Sequence, residues 1–78
     1  MVIYKVEAWD YDKQDGCTFF VDSIGDIDAV DEVAAELRRR GIVEYEATCC
    51  CCYGDDCSDF WIERSQGCEE NFGYYESE

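Results

Sequence analysis

Residues 26–41 read DIDAVDEVAAELRRRG, and this stretch decides the fold. Ile27, Val30, Val33, Ala34 and Leu37 recur at steps of three and four, which gathers them on one side of an α-helix. Asp26 stands where an N-cap is expected, with a carboxylate able to accept from free N–H groups of the first turn. Asp28 adds charge that suits the positive end of the helix dipole, and Arg38, Arg39 and Arg40 suit the negative end. Gly41 is able to turn left-handed and stop the helix. The polar side carries Asp28, Glu32 and Glu36, spaced by four.

Outward from the helix the periodicity changes to two. Upstream, residues 2–11 alternate, with Val2, Tyr4, Val6 and Ala8 on one face and Ile3, Lys5, Glu7, Trp9 and Tyr11 on the other. Residues 12–16, DKQDG, read as a turn whose strongest part is Asp-Gly. Residues 17–24 follow as a second strand with Phe19 and Val21 inward, so the two strands form an antiparallel hairpin.

Downstream, Val43, Tyr45, Ala47, Cys49, Cys51 and Tyr53 face one way, and Glu44, Glu46, Thr48, Cys50 and Cys52 the other. After the turn GDDCS, residues 59–65 make a fourth strand with Phe60 and Ile62 inward and Trp61 and Glu63 outward. Residues 66–78 fit either an edge strand or a loose tail. The order β-β-α-β-β requires a two-layer α+β domain, a four-stranded antiparallel sheet with one helix on one face. Trp9, Tyr11, Phe20 and Trp61 are then expected on the open face, among Glu7, Glu44, Glu46 and Glu63. An aromatic and acidic face of that kind suits binding.

The 78 residues make a single domain with room for one small core. They hold 20 acidic residues against 6 basic ones, a net charge of −14. The charge is uneven, since residues 42–78 carry ten acids and Arg64 alone. With 47% hydrophobic residues the chain is too apolar for a disordered acidic tail. Nucleic acid and anionic membranes are excluded as direct partners by repulsion, which leaves basic protein surfaces. The N-terminus MVIYKVEAWD has neither the basic start nor the hydrophobic run of a secretory leader. No segment approaches the roughly 18 apolar residues of a membrane helix. A cytoplasmic protein with reduced thiols is therefore expected.

Chemistry is sparse. Histidine is absent, so the commonest general base and metal ligand is missing. Seven cysteines include the run 49–52. Cys50 and Cys52 share a face, and with Cys57 and Cys68 they could converge on zinc, although C-x-C-x4-C-x10-C matches no established zinc spacing. The favoured reading has Cys49 and Cys51 as core residues and the others as free thiols, with no cofactor. The segment DYDKQDG has the start of a calcium loop but no downstream bidentate Glu, and reads as a turn. A glycosidase would need a cleft between two acids, for which this architecture has little room. No enzyme is expected.

The acids themselves are spaced. Those on the helix lie about 6 Å apart, and Glu44 and Glu46 about 6.6 Å apart along a strand. Phosphates lie about 3.4 Å apart along one DNA strand. The strand IYKVEAWDYD, the DG hairpin, the helix GDIDAVDEVAAEL and the acidic second half together resemble small phage- or mobile-element-encoded inhibitors of the anti-CRISPR and antirestriction type, several of which mimic DNA. The resemblance carries over no functional residue. It implies a non-catalytic inhibitor that occupies the DNA or RNA site of a basic nucleic-acid-binding protein of the host, such as a CRISPR effector. The residues expected at that contact are Glu44, Glu46, Asp55, Asp56, Asp59, Glu63, Glu69 and Glu70, with Trp61 as the aromatic anchor.

Overall fold

A computed structural model describes residues 2–53, 58–65 and 71–75. The elements run β1 (Val2–Asp10), β2 (Asp15–Ser23), α1 (Asp26–Arg39), β3 (Tyr45–Tyr53), β4 (Phe60–Arg64) and β5 (Asn71–Tyr74). They build an α+β domain whose sheet has the order β2-β1-β3-β4-β5, with every neighbouring pair antiparallel. The sheet has five strands where the sequence pattern indicated four. Asn71–Tyr74, in the segment left open between edge strand and tail, pairs with β4 from Phe60↔Tyr74 to Glu63↔Asn71. Four residues interrupted by a glycine are too short for alternation to register.

Both β2 and β3 are antiparallel to β1, so they run in the same direction on either side of it. The connection between them must cross β1, and α1 makes that crossing on one face. The alternation of β1 follows: Val2, Tyr4, Val6 and Ala8 are buried on the helix side. They join Phe19, Tyr45, Ala47, Cys49, Phe60 and Ile62 in one core. Within it, the rings of Tyr4 and Phe60 meet edge to face with centroids 5.2 Å apart.

The helix presents Ala29, Val33, Ala34 and Leu37 to this core, with Val30 partly buried beside them. The stripe is centred on Ala29, Val33 and Leu37, and that rotation turns the expected core residue Ile27 outward, 71% exposed. The start of the helix also departs from expectation. Gly25 is the cap and Asp26 the first helical residue, with no side-chain cap. The Asp26 carboxylate instead accepts from the Tyr4 hydroxyl. The entry is held by Ser23, whose hydroxyl accepts from the Gly25 N–H at 3.2 Å and donates to its carbonyl at 2.7 Å. The end is as read: Gly41 has φ 78°, with Gly41 N–H donating to Arg38 O at 3.0 Å and Ile42 N–H to Leu37 O at 2.9 Å. Beyond it Val43 is 54% exposed and lies outside β3, although the alternation placed it inward.

The hairpin turn is tighter than its composition suggested. Pairing continues to Asp10↔Asp15, so Asp-Gly belongs to β2 and residues 11–14 make the turn. The cause is Asp10, a buried carboxylate that accepts from the N–H groups of Asp12 at 2.9 Å and Lys13 at 3.3 Å. In β3, Tyr4 pairs with Cys51 and Ile3 with Tyr53, which leaves Cys52 as an extra residue in a bulge. The bulge moves Tyr53 to the face of Ile3, 73% exposed, against its expected inward position.

Leu37 is fully buried at the centre of the helix contact. Leu37→Ala should cost about 2–5 kcal/mol, read from the denaturant midpoint. Ile27→Ala should leave the midpoint nearly unchanged.

Candidate functional site

The face opposite the helix is assembled in cross-strand rows about 4.8 Å apart from strand to strand. One row is Gly16, Trp9, Glu46, Glu63 and Asn71. The next is Thr18, Glu7, Thr48, Trp61 and Gly73, and a third holds Phe20, Lys5 and Cys50. Of the expected aromatics, Trp9 is 46% and Phe20 62% exposed, while Trp61 and Tyr11 are half-buried. The register thus brings Glu46, Glu63 and Trp61 together, with Trp9 beside them.

Glu46 and Glu63 lie directly opposite one another, a like-charge pair that disfavours the sheet locally. Tyr11 bridges them: its hydroxyl lies 3.1 Å from Glu46 Oε2 and 3.4 Å from Glu63 Oε2. Burial, then the hydrogen bond to Glu46, pushes the Tyr11 hydroxyl up to about 12. Glu7 is paired with Lys5 at 3.4 Å. Thr48 Oγ1, on the central strand, lies 3.3 Å from the hydroxyl of Tyr75, which follows β5.

The other expected contact residues separate. Glu44 is half-buried before β3, and its carbonyl accepts from the Tyr11 N–H at 3.1 Å. Asp59 is exposed just before β4, its carboxylate accepting from the Cys51 N–H at 2.9 Å. Asp55, Asp56, Glu69 and Glu70 lie outside the described residues. Of the three spaced helix acids, Glu36 is neutralised by Arg39 at 2.6 Å and Arg40 at 2.8 Å, and these bonds hold its carboxyl below the usual range. Asp28, Asp31 and Glu32 instead join Asp22 around a shallow depression where β2 hands over to the helix. Tyr11, the clamp on the central carboxylates, was legible as a face residue but not as their partner. Its reach depends on the turn geometry that Asp10 sets.

The cysteines divide by face. Cys49 is fully buried and burial pushes its thiol up to about 12. Cys50 and Cys52 are exposed free thiols, with Cys52 Sγ 3.6 Å from the Cys50 carbonyl. Burial, then Asp59, raises Cys50, so its reactive thiolate is scarce near neutral pH. Cys51 is disulfide-bonded, whereas the sequence reading had it as a reduced core thiol. Cys57 and Cys68 of the alternative zinc set lie outside the described residues, among which no three His, Cys, Asp or Glu side chains converge for a metal. No helix among the described residues is long and apolar enough to cross a membrane.

Two outcomes follow from this face. A Cβ on Gly73 would come 2.7 Å from Trp61 Cζ2, against 3.5 Å from Trp9 Cε3 for one on Gly16. Gly73→Ala should therefore displace Trp61 and cost about 1–3 kcal/mol, with a shifted tryptophan emission, while Gly16→Ala is tolerated. For Tyr11 the folded pKa lies above the unfolded value near 10, so its contribution is complete below pH 10 and is lost as pH climbs to about 12. Tyr11→Phe should flatten the fall in thermal stability across that window.

No protein-family model matches the chain, and the searches of curated proteins and of solved structures return no match.

Proposed function

We propose that the chain is a non-catalytic inhibitor that binds a basic nucleic-acid-binding protein, a CRISPR effector being the first candidate, and blocks its DNA or RNA site by acidic mimicry. The observation that carries this reading is the open sheet face, where outward carboxylates at Glu46 and Glu63 stand among exposed aromatics on a chain of net charge −14. Carboxylates fixed on a sheet offer a phosphate-binding groove negative charge at set spacing, and the aromatics supply apolar contact area. The acids at the β2–α1 junction extend the negative field around one end of the domain.

A second reading, a structural or interaction module with zinc held by Cys50, Cys52, Cys57 and Cys68, draws on the two exposed thiols of β3. Stoichiometric zinc in protein purified under reducing conditions would favour it.

Mimicry requires this protein and nucleic acid to exclude one another on the same partner. Competition against labelled target DNA on purified CRISPR effectors, repeated across salt, measures this directly. Inhibition should weaken as salt rises, because exposed charge is screened over about 8 Å at physiological ionic strength. Glu46→Lys with Glu63→Lys should slow association about tenfold, whereas Asp12→Lys with Asp15→Lys at the hairpin turn should change it little. A stable ternary complex with DNA still bound would overturn the reading.

A further inference from the structure

β2 forms one edge of the sheet and is nine residues long, against four for β5 at the other edge. Which of its backbone groups are free follows from the register. In an antiparallel ladder the N–H and C=O of one residue point to the same side, and successive residues alternate sides. Tyr11 N–H donates to the Glu44 carbonyl, so the odd-numbered residues of β1 bond to β3 and the even-numbered ones to β2. The pairs Tyr4↔Val21, Val6↔Phe19 and Ala8↔Cys17 then engage the odd-numbered residues of β2. Gly16, Thr18, Phe20 and Asp22 aim their N–H and C=O groups away from the sheet. Gly16 shows this directly, since its N–H donates to the Asp15 carboxylate at 2.9 Å. Among the described residues the N–H and C=O groups of Thr18, Phe20 and Asp22 have no such partner, and all three residues are exposed. They make a row of donor–acceptor sites about 6.8 Å apart.

A strand edge of this kind pairs with another extended chain unless something blocks it. β2 holds neither proline nor lysine, and its register on β1 runs unbroken from Val2↔Ser23 to Asp10↔Asp15. From Gly16 to Val21 it carries no charge, and Phe20 stands 62% exposed on the open-face side. At its end Asp22, Asp28, Asp31 and Glu32 surround the depression where the strand hands over to the helix. A second copy of the chain would bring another −14 to this edge, whereas a cationic segment is drawn to it. We infer that β2 takes an extended segment of a basic partner protein as a sixth strand. Main-chain bonds to Thr18, Phe20 and Asp22 hold the segment, an apolar side chain lies beside Phe20, and basic side chains reach the acids of the β2–α1 junction. The inference draws on the charge of the chain and not on mimicry, so it applies whether or not the partner binds nucleic acid.

The test follows amide hydrogen exchange of the full chain by NMR, alone and with an excess of a capped peptide of alternating threonine and valine that ends in a lysine tail. In the free protein Thr18, Phe20 and Asp22 should exchange at least about tenfold faster than Phe19 and Val21. The peptide should slow those three at least about tenfold. Glutamates in place of the lysines, or a proline at the centre of the peptide, should each weaken binding at least about tenfold. Asp28→Asn with Asp31→Asn should weaken it about threefold, and Glu46→Gln with Glu63→Gln should leave it unchanged. Slow exchange of the three amides in the free protein, no change on adding peptide, or equal binding of the proline peptide would overturn the inference. So would protection that grows with protein concentration and comes with the mass of a dimer, which gives the edge to a second copy. Peptide-slowed exchange in a chain that forms a ternary complex with DNA removes mimicry alone. Competition with DNA by a chain whose β2 ignores the peptide removes the edge assignment alone.

Discussion

The hydroxyl of Tyr4 donates to the carboxylate of Asp26, and much of the molecule depends on that contact. Tyr4 is fully buried on β1, the strand that the β2-to-β3 connection has to cross. Its ring packs on Phe60 of β4, and its hydroxyl reaches the first turn of the helix. One side chain thus ties three elements at the point where the crossing begins. Burial and the bond to Asp26 raise its pKa above the ordinary tyrosine range, so the neutral donor form persists at every physiological pH. At the other end of the crossing Arg40 lies 4.7 Å over the Phe19 ring, which ties the helix terminus to β2.

With the helix committed to one face, the other has only the sheet itself to shape it. Net charge of −14 on so small a domain opposes compaction, and the described acids, Asp10 apart, are exposed or half-buried where water screens them. Among the described residues Asp10 is buried, but it accepts two backbone N–H groups and closes the hairpin. Glu36 is matched by two arginines of its own helix. The central pair Glu46 and Glu63, opposite one another across β3 and β4, shares the Tyr11 hydroxyl.

The edges are handled by aromatics and glycine together. Trp61 lies over Gly73 and supplies β5 with contact surface that a four-residue strand cannot make for itself. Phe72 and Tyr74 stack edge to face on the helix side, and Tyr74 continues onto Phe60. Trp61 over Gly73 thus serves both the sheet margin and the open face, so stability and the shape of that face are coupled there.

Periodicity by itself determined the α+β class, the helix, the first four strands and the acidic, aromatic character of the open face. Period-two and period-3.6 patterns are properties of single segments, and Val6, Ala47 and Leu37 are core for that reason alone. Facts that depend on which segment meets which were decided only by the tertiary structure. Ile27 faces solvent because the helix is seated on Ala29, Val33 and Leu37. Asp26 serves Tyr4, twenty-two positions away, in place of its own helix N-terminus. The bulge at Cys52 turns Tyr53 outward, β5 forms only because β4 offers it an edge, and Glu46 meets Glu63 only through strand register. A segment can state which way its side chains alternate, but the partner across the strand sets what they meet.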